Sequence, residues 1–287
     1  MGYAFALALS KWLFPDVPIG AYVHYPTIST DMLGSLDKGG QGVNAGAGKG
    51  VRGTAKRWYW QLFAWLYGWV GGEVDVVMTN SSWTQNHIRQ LWGPSRARRE
   101  HVSAASVVYP PVAVEDIERR IDVSAASESR RGRYILYIAQ FRPEKNHQLV
   151  LQAFSSLLNS NTLDGATRPK LVLVGSVRET DSTFIYKLRL LVRELKIEDD
   201  VEFVLNAPWS QVLDWLGKSW VGVNGMWNEH FGIGVVEYQA AGLICVVNDS
   251  GGPKLDIVVN VDGRPTGRFC YVLSSHMLRL PSRNPSV

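Results

Sequence analysis

"YILYIAQFRPEKNHQLVLQAFSSLL", residues 134–158, is the stretch that decides the fold. Its first six residues form an apolar run typical of a buried strand, and its last twelve have the length and apolar spacing of a helix. The polar loop QFRPEKN joins them. The stretch therefore predicts one βα unit.

The same alternation continues along the chain. Helices are predicted after each of the next strands, and "GVVEYQAAG" (234–242) is the last of them. Alternation of this kind indicates parallel strands in a doubly wound α/β domain, which binds ligands at the carboxyl ends of its strands. The further strands are predicted at 170–176, 201–206, 220–224 and 243–249.

The residues before 134 carry a weaker version of this pattern. Strands are predicted at 20–26, 74–81 and 106–112, with a serine-capped helix at 82–92. We therefore predict an α/β chain of two Rossmann-like domains, the first of them incomplete. The predicted divisions are a partial acceptor-side domain 1–121, a small polar linker 122–133, a nucleotide-sugar-binding domain 134–267 and a divergent tail 268–287.

Composition limits the function classes. The 287 residues are 46% hydrophobic, enough for two cores, and the net charge of +4 comes from dispersed basic residues. Such mild basicity fits a phosphate-bearing substrate or an anionic membrane surface and argues against nucleic acid. Cys245 and Cys270 have neither disulfide-framework nor metal-ligand spacing, which favours a reducing compartment. The opening residues do not predict a signal peptide.

Residues 55–70, "AKRWYWQLFAWLYGWV", are dense in tryptophan and tyrosine. The run is shorter than the roughly 20 apolar residues that span a bilayer. Two alternatives remain, a helix buried against a sheet and a helix docked at a membrane interface. Different faces of one helix can satisfy both.

The glycine-rich residues 37–53 resemble a phosphate loop only superficially. Val43 stands where that motif requires its first glycine, and Gly50 follows Lys49 where Ser or Thr is required. A flexible loop is the favoured interpretation.

"WNEHFGIGVVEYQAAG", residues 227–242, carries the candidate chemistry. Gly232 and Gly234 precede a helix whose free N–H groups would favour a phosphate. Glu229 lies in the preceding loop and Glu237 about one turn inside the helix. A carboxylate can accept hydrogen bonds from two hydroxyls of a polyol. One glutamate would therefore face a sugar and the other would face the opposite end of a nucleotide. The alternative is a pair of surface glutamates.

Two further loops supply cations and glycines. Arg142 and Lys145 leave a strand end together and could reach one anion, although a solvated loop is the alternative. In "SGGPK", Gly251 and Gly252 permit close approach of a ligand, and Lys254 adds a third cation.

These motifs carry a resemblance to a known family. The E-x7-E spacing, FRPEKN and SGGPKLDIV resemble the retaining GT-B glycosyltransferases of family 4. Together with YVHYPTISTDML (22–33) and MWNEHFGIGVVE (226–237), they closely resemble the α-1,2-mannosyltransferases of asparagine-linked glycosylation. The resemblance covers about residues 1–267.

The resemblance implies a GT-B fold and GDP-mannose as donor, with retention of configuration and no divalent metal or other cofactor. It places Glu237 on the ribose, Glu229 near the transferred mannose and His24 facing the donor sugar, so that Glu229 and His24 are the catalytic candidates. The implied donor-binding residues are Arg142, Lys145, Gly232, Ile233, Gly234, Glu237, Gly251 and Gly252.

It also implies partners and a location. The acceptor would be the dolichol-diphosphate-linked oligosaccharide Man3GlcNAc2 or Man4GlcNAc2, which gains its fourth and fifth mannoses on the cytosolic face of the endoplasmic reticulum membrane. Residues 55–70 would contact the membrane surface, and other mannosyltransferases of the pathway are candidate partners.

The chain departs from the family at two points. Gln140 stands where the wider family has an arginine, for which Arg142 is the proposed substitute. The chain is also expected to lack the first part of the N-terminal domain, including a glycine-rich loop and a membrane anchor, and the closing helices.

Two other function classes are compatible with parts of the sequence. A non-catalytic GDP-sugar- or partner-binding fragment is the alternative within the family. A dinucleotide-dependent Rossmann enzyme is disfavoured, because no G-x-G-x-x-G follows a strand.

Overall fold

The computed structural model describes residues 4–36, 50–99, 103–160, 168–178 and 181–270. The chain divides into two compact units, Met1–Pro111 and Val112–Val287. Most of the predicted flexible loop (37–49) lies outside the described residues, while 50–53 begin a helix.

The first unit is built on a parallel sheet of three strands in the order β1-β2-β3. Each strand falls within a predicted one, so the predicted strands are confirmed. Four helices accompany them. The strands are β1 (Gly20–Val23), β2 (Val76–Thr79) and β3 (Ser106–Val107), and the helices are α1 (Ala4–Leu13), α2 (Thr30–Gly34), α3 (Gly50–Gly71) and α4 (Ser82–Arg96).

Helices α3 and α4 cross at very short range. A Cβ at Gly68 would lie 2.5 Å from the carbonyl oxygen of Leu91, so only glycine fits there. The hydroxyl of Ser81, one residue before the predicted cap, accepts a hydrogen bond from the Thr84 N–H and begins α4. The core beneath the crossing contains Tyr67 and Trp92, whose rings meet edge to face.

The second unit holds a six-stranded parallel sheet in the order β11-β8-β7-β4-β5-β6. Adjacent residues of β4 point into different clusters, Ile135 into one core and Leu136 into the other, so both faces of the sheet are covered. The strands are β4 (Tyr134–Ile138), β5 (Lys170–Gly175), β6 (Val201–Leu205), β7 (Val221–Asn224), β8 (Ile244–Asn248) and β11 (Gly267–Cys270), and a short antiparallel pair is formed by β9 (Asn260–Val261) and β10 (Arg264–Pro265).

Helices flank this sheet, and the last four of those described lie where the sequence predicts helices. They are α5 (Val114–Arg120), α6 (Ala125–Arg130), α7 (His147–Leu158), α8 (Ser182–Glu194), α9 (Trp209–Lys218) and α10 (Ile233–Ala240). Helices α5 and α6 were not predicted, because they are short and lie in a polar stretch.

The predicted linker 122–133 is part of the second unit, and the boundary lies instead between Pro111 and Val112. The reason is Arg131, whose side chain is only 2% exposed and pairs with Glu128. Its guanidinium also donates to the carbonyls of Leu216, Ser219 and Ala241, which end α9 and follow α10. This polar sequence without periodicity therefore contains a buried side chain that holds the segment to the second unit. The predicted tail also begins too early, since 268–270 belong to β11, while 271–287 lie outside the described residues.

We expect Arg131→Leu to lower the free energy of unfolding by about 3 kcal/mol, since it removes a hydrogen-bond donor from three carbonyls and one ion-pair partner from Glu128. Urea unfolding followed by circular dichroism measures the change. Arg130→Leu is the matched control, because Arg130 is the exposed neighbour. Equal stability of the two variants would contradict the anchoring role.

Candidate functional site

The candidate site lies where β4 and β7 separate. These central strands pair at only two positions, Ile135 with Val221 and Leu136 with Gly222, while β4 pairs with β5 along its whole length. The connections leave β4 toward one side of the sheet order and β7 toward the other. Such a switch point opens a crevice at the carboxyl ends of the strands.

Tyr238 of α10 bridges the two strand ends. Its hydroxyl accepts a hydrogen bond from the Ile138 N–H at 2.6 Å and donates to the Val223 carbonyl at 3.3 Å. The ring lies over Gly222, where an added Cβ would come within 2.3 Å of it. Burial raises the pKa of the Tyr238 hydroxyl well above its usual value, so the group stays protonated and can serve both partners.

Two buried side chains hold the loop after β4 in place. It forms a 3-10 turn over Pro143–Lys145, and the buried Tyr137 hydroxyl donates to the Lys145 carbonyl. His147 stacks on Phe141 at 4.9 Å between ring centroids, and its burial lowers the imidazole pKa to about 4. A neutral, fully buried histidine thus supports the turn without adding charge to the site.

Lys145 and Glu229 meet across the crevice. The Lys145 Nζ lies 2.6 Å from Glu229 Oε2, and the two side chains are 21% and 12% exposed. Lys145 Nζ also lies 3.2 Å from the sulfur of Met226, and the amide of Asn224 at the end of β7 is 3.5 Å from the same carboxylate oxygen. Residues from two separate loops are therefore in direct contact.

The main chain around Glu229 is held by the loop after β8. The Glu229 carbonyl accepts from the Gly252 N–H at 2.7 Å, and the Asn228 N–H donates to Ser250 Oγ at 2.8 Å. Ser250 in turn donates to the side chain of Asn248 at 2.6 Å. A Cβ at Gly251, which has φ +69°, would lie 2.3 Å from the Glu229 carbonyl oxygen. The two glycines therefore permit close packing of one loop on another.

Both glutamates lie beside the start of α10. Gly232, with φ +106°, precedes the helix, and an added Cβ there would lie 3.5 Å from Glu229 Cγ. One at Gly234 would lie 4.0 Å from Glu237 Oε2, and Ile233 between them is exposed. Partial burial raises the pKa of the Glu237 carboxyl above its ordinary value. The first N–H groups of α10 have no preceding helical carbonyl, so they can favour an anion.

The remaining candidates are more dispersed. Arg142 Nη1 is 3.7 Å from Glu144, and Nη2 is buried without a hydrogen-bond partner in the described part of the chain. Its guanidinium is therefore not seen to share the Lys145–Glu229 contact. Lys254 pairs with the buried Asp249 at 2.8 Å, which neutralises the predicted third cation. His24, in the first unit, is exposed and meets Tyr22 edge to face.

Asn224, Tyr238, Asn248 and Ser250 were missed in the sequence. Their roles depend on tertiary contacts between strand ends. One available signal was Gly222, because an isolated glycine within a strand often marks close approach of another group. The described residues contain no group of three or more His, Cys, Asp and Glu side chains that could hold a metal ion.

The first unit exposes a stripe of large apolar side chains on α3. Trp58, Leu62, Trp65 and Trp69 are each more than half exposed, and their spacing of four, three and four residues puts them on one helix face. We call these four residues the aromatic face. The other side of α3 packs into the core through Tyr67 and Val70, so the predicted buried side is confirmed, while docking at a membrane interface stays a prediction. None of the described helices combines the length and apolarity needed to cross a membrane.

Two known families match parts of this chain. Residues 118–273, which include every loop of the crevice, match the family described as glycosyl transferases group 1. The chain belongs to the group 1 glycosyltransferases. Residues 1–92 match a second family, described as the ALG11 mannosyltransferase N-terminus.

Curated relatives of this glycosyltransferase extend the similarity to both units. The chain is 64% identical over 279 residues to the GDP-Man:Man(3)GlcNAc(2)-PP-Dol alpha-1,2-mannosyltransferase of Neurospora crassa, covering 93% of this chain and 50% of the relative. The Homo sapiens protein of the same name is 42% identical over 272 residues, with 93% and 53% covered. The chain thus spans about half the length of these relatives. The resemblance found in the sequence is confirmed.

Solved structures support the GT-B fold of this group 1 glycosyltransferase. Anabaena HepE in complex with UDP has a TM-score of 0.65 at 14% identity, covering 96% of this chain and 64% of that one. A UDP-forming trehalose-phosphate synthase of Burkholderia xenovorans has a TM-score of 0.64 at 13% identity, with 94% and 61% covered. At these identities the likeness concerns the fold alone, and the predicted fold class is confirmed.

We expect Gly251→Ala to destabilise the chain by more than Gly263→Ala. Both glycines have positive φ, which costs a side chain about 1–2 kcal/mol, but nothing lies within 4 Å of an added Cβ at Gly263. At Gly251 the methyl group must also displace the Glu229 main chain. Thermal unfolding of the two variants isolates the steric part. If they lose equal stability, the loop contact contributes nothing.

Proposed function

We propose that this chain binds GDP-mannose in the crevice between β4 and β7 and serves as the donor side of a retaining α-1,2-mannosyltransferase. The observation that carries the proposal is the contact between Lys145 and Glu229 beside the start of α10. It places a cation that can bind phosphate next to a carboxylate that can accept hydrogen bonds from sugar hydroxyls. The names of the similar proteins supply the donor, the linkage and the acceptor.

In this proposal the diphosphate is bound by the start of α10 and by Lys145. The N–H groups at Ile233 and Gly234, at the start of the helix, provide partial positive charge that can bind an anion. Gly251 and Gly252 shape the neighbouring loop. Arg142, with an unpartnered buried nitrogen in the described structure, is the proposed second cation. Two cations and a helix start can neutralise a diphosphate without a divalent metal.

The carboxylates bind the two sugars of the donor. Glu229 accepts hydrogen bonds from hydroxyls of the mannose, and Glu237 accepts hydrogen bonds from the two ribose hydroxyls at the other side of the helix start. The partial burial that raises the pKa of Glu237 also strengthens the hydrogen bonds it accepts once it is ionised. His24 is assigned to the donor sugar by the resemblance, and its exposed ring is accessible to a ligand.

The reaction is a substitution at the anomeric carbon of mannose. The bond from this carbon to the diphosphate oxygen breaks, and the 2-hydroxyl oxygen of the acceptor mannose bonds to the same face. The hydroxyl proton passes to the departing diphosphate, which leaves as GDP. Lys145 stabilises the negative charge that develops on the leaving oxygen, and Glu229 holds the ring in place.

The proposed acceptor is the dolichol-diphosphate-linked Man3GlcNAc2 oligosaccharide and its Man4GlcNAc2 product, so that the fourth and fifth mannoses are added in succession. A lipid-linked acceptor requires the enzyme to work at a membrane. The aromatic face, with Lys56 and Arg57 near the start of the same helix, suits an interface with anionic headgroups. The proposed location is the cytosolic face of the endoplasmic reticulum, where other mannosyltransferases of the pathway are candidate partners.

Transfer is tested on the full chain with radiolabelled GDP-mannose and a lipid-linked trimannosyl acceptor, alongside GDP titration. We expect Glu229→Ala to reduce transfer at least about 10²-fold, since it removes a group that positions the reacting sugar. Glu202→Ala on β6 is the control, because that glutamate is exposed and two strands from β4.

The outcomes separate the two function classes. Binding of GDP without turnover by the unaltered chain favours the non-catalytic alternative, and no GDP binding contradicts both. Full transfer activity of Glu229→Ala would remove this residue from the mechanism.

Membrane docking is tested by flotation with vesicles of phosphatidylcholine and phosphatidylserine. Substituting Trp58, Trp65 and Trp69 by serine should weaken the apparent partition at least about tenfold, because each indole loses its interfacial burial. Tyr186→Ser is the control, since Tyr186 is exposed to a similar degree on α8 of the second unit. Equal flotation of the triple variant and the unaltered chain would exclude docking through this face.

A further inference from the structure

The principal cation of the crevice has a carboxylate partner within the chain itself. Lys145 Nζ lies 2.6 Å from Glu229 Oε2, and the pair is largely shielded from water, with 21% and 12% of the two side chains exposed. A diphosphate that uses Lys145 must therefore displace, or at least share, an existing carboxylate partner.

The contact is fixed by the main chain on both sides. Lys145 is held through its carbonyl by the buried Tyr137 hydroxyl. Glu229 is held through its carbonyl by the Gly252 N–H at 2.7 Å, and its Cγ packs beside Gly232. The main chain is therefore fixed at both residues, so side-chain rotation alone can break and restore the contact between carboxylate and ammonium.

We propose that Glu229 competes with the nucleotide diphosphate for Lys145, and that this competition promotes release of the nucleoside diphosphate after transfer. The inference rests on the proposed function. Before transfer, the neutral mannose lies between the Glu229 carboxylate and the phosphate in the proposed arrangement. After transfer the sugar is gone, the terminal phosphate gains negative charge once the proton it received passes to water, and the carboxylate faces it directly.

The charges explain why the product is affected more than the donor. Two anionic groups then compete for one ammonium in a site with restricted access to water, where charge interactions are stronger than in bulk solvent. Glu229 regains its 2.6 Å contact as the diphosphate leaves. The residue that orients the sugar thus also destabilises the bound product.

Loss of an ordinary binding residue weakens ligand binding, whereas loss of the Glu229 charge should strengthen the binding of GDP. Glu229→Gln keeps the size and hydrogen-bonding capacity of the side chain but removes its charge. We expect this variant to bind GDP about five- to tenfold more tightly than the unaltered chain and to release it more slowly, although transfer is reduced.

The probe is GDP, titrated calorimetrically into the full chain at fixed ionic strength. Glu202→Gln is the matched control, since it makes the same change in net charge at an exposed position two strands from β4. Lys145→Met and the Lys145→Met/Glu229→Gln double variant complete a double-mutant cycle. The tightening caused by Glu229→Gln should disappear when Lys145 is absent.

Each result decides the inference. Equal or weaker GDP binding by Glu229→Gln, with thermal unfolding unchanged, overturns it and leaves the proposed donor site intact. Tightening that persists without Lys145, or that Glu202→Gln reproduces, also overturns it. If Glu229→Gln fails to fold, Glu229→Asp decides instead, because its shorter side chain draws the charge away from Lys145 and should give a smaller tightening. Failure of the unaltered chain to bind GDP contradicts the proposed function itself.

Discussion

The hydroxyl of Tyr238 between the ends of β4 and β7 is the contact on which the site depends. Parallel strands that separate leave one unpaired N–H and one unpaired carbonyl at the edge, and these groups are costly to bury alone. The phenol serves both, with the Ile138 N–H as donor and the Val223 carbonyl as acceptor. The crevice can therefore open without exposing the sheet, and the helix that carries Glu237 is fixed to it.

The site is assembled mainly through the backbone. Glu229 stands where it does because Gly251 and Gly252 let the loop after β8 approach the main chain of residues 228–231 closely, and because the Gly252 N–H donates to its carbonyl. Lys145 is positioned in the same way through its own carbonyl. Side chains attached to such a frame lose little further entropy when they meet a ligand, which is the condition for precise positioning.

Much of the fold and part of the candidate site could be predicted from the sequence. The strands of the second unit are apolar on both faces and bounded by turn residues, so their order along the chain predicted the fold. Gly232 before an apolar helix, with Glu229 and Glu237 on either side, predicted the helix start and its flanking carboxylates. Arg142 and Lys145 were expected to reach one anion together, which stays a prediction, whereas the Lys145–Glu229 contact was not foreseen. Arg131 and Tyr238 could not be found, since a buried polar side chain is defined by partners distant in sequence.

The ring of Tyr238 has a consequence of an evolutionary kind. It occupies the space that a side chain at position 222 would need, so these two positions share one volume. A larger residue at 222 can be accepted only together with a smaller one at 238, and that exchange would also remove the hydroxyl between the strands. Glycine is therefore fixed at position 222 for as long as tyrosine stands at position 238 and holds the ends of β4 and β7.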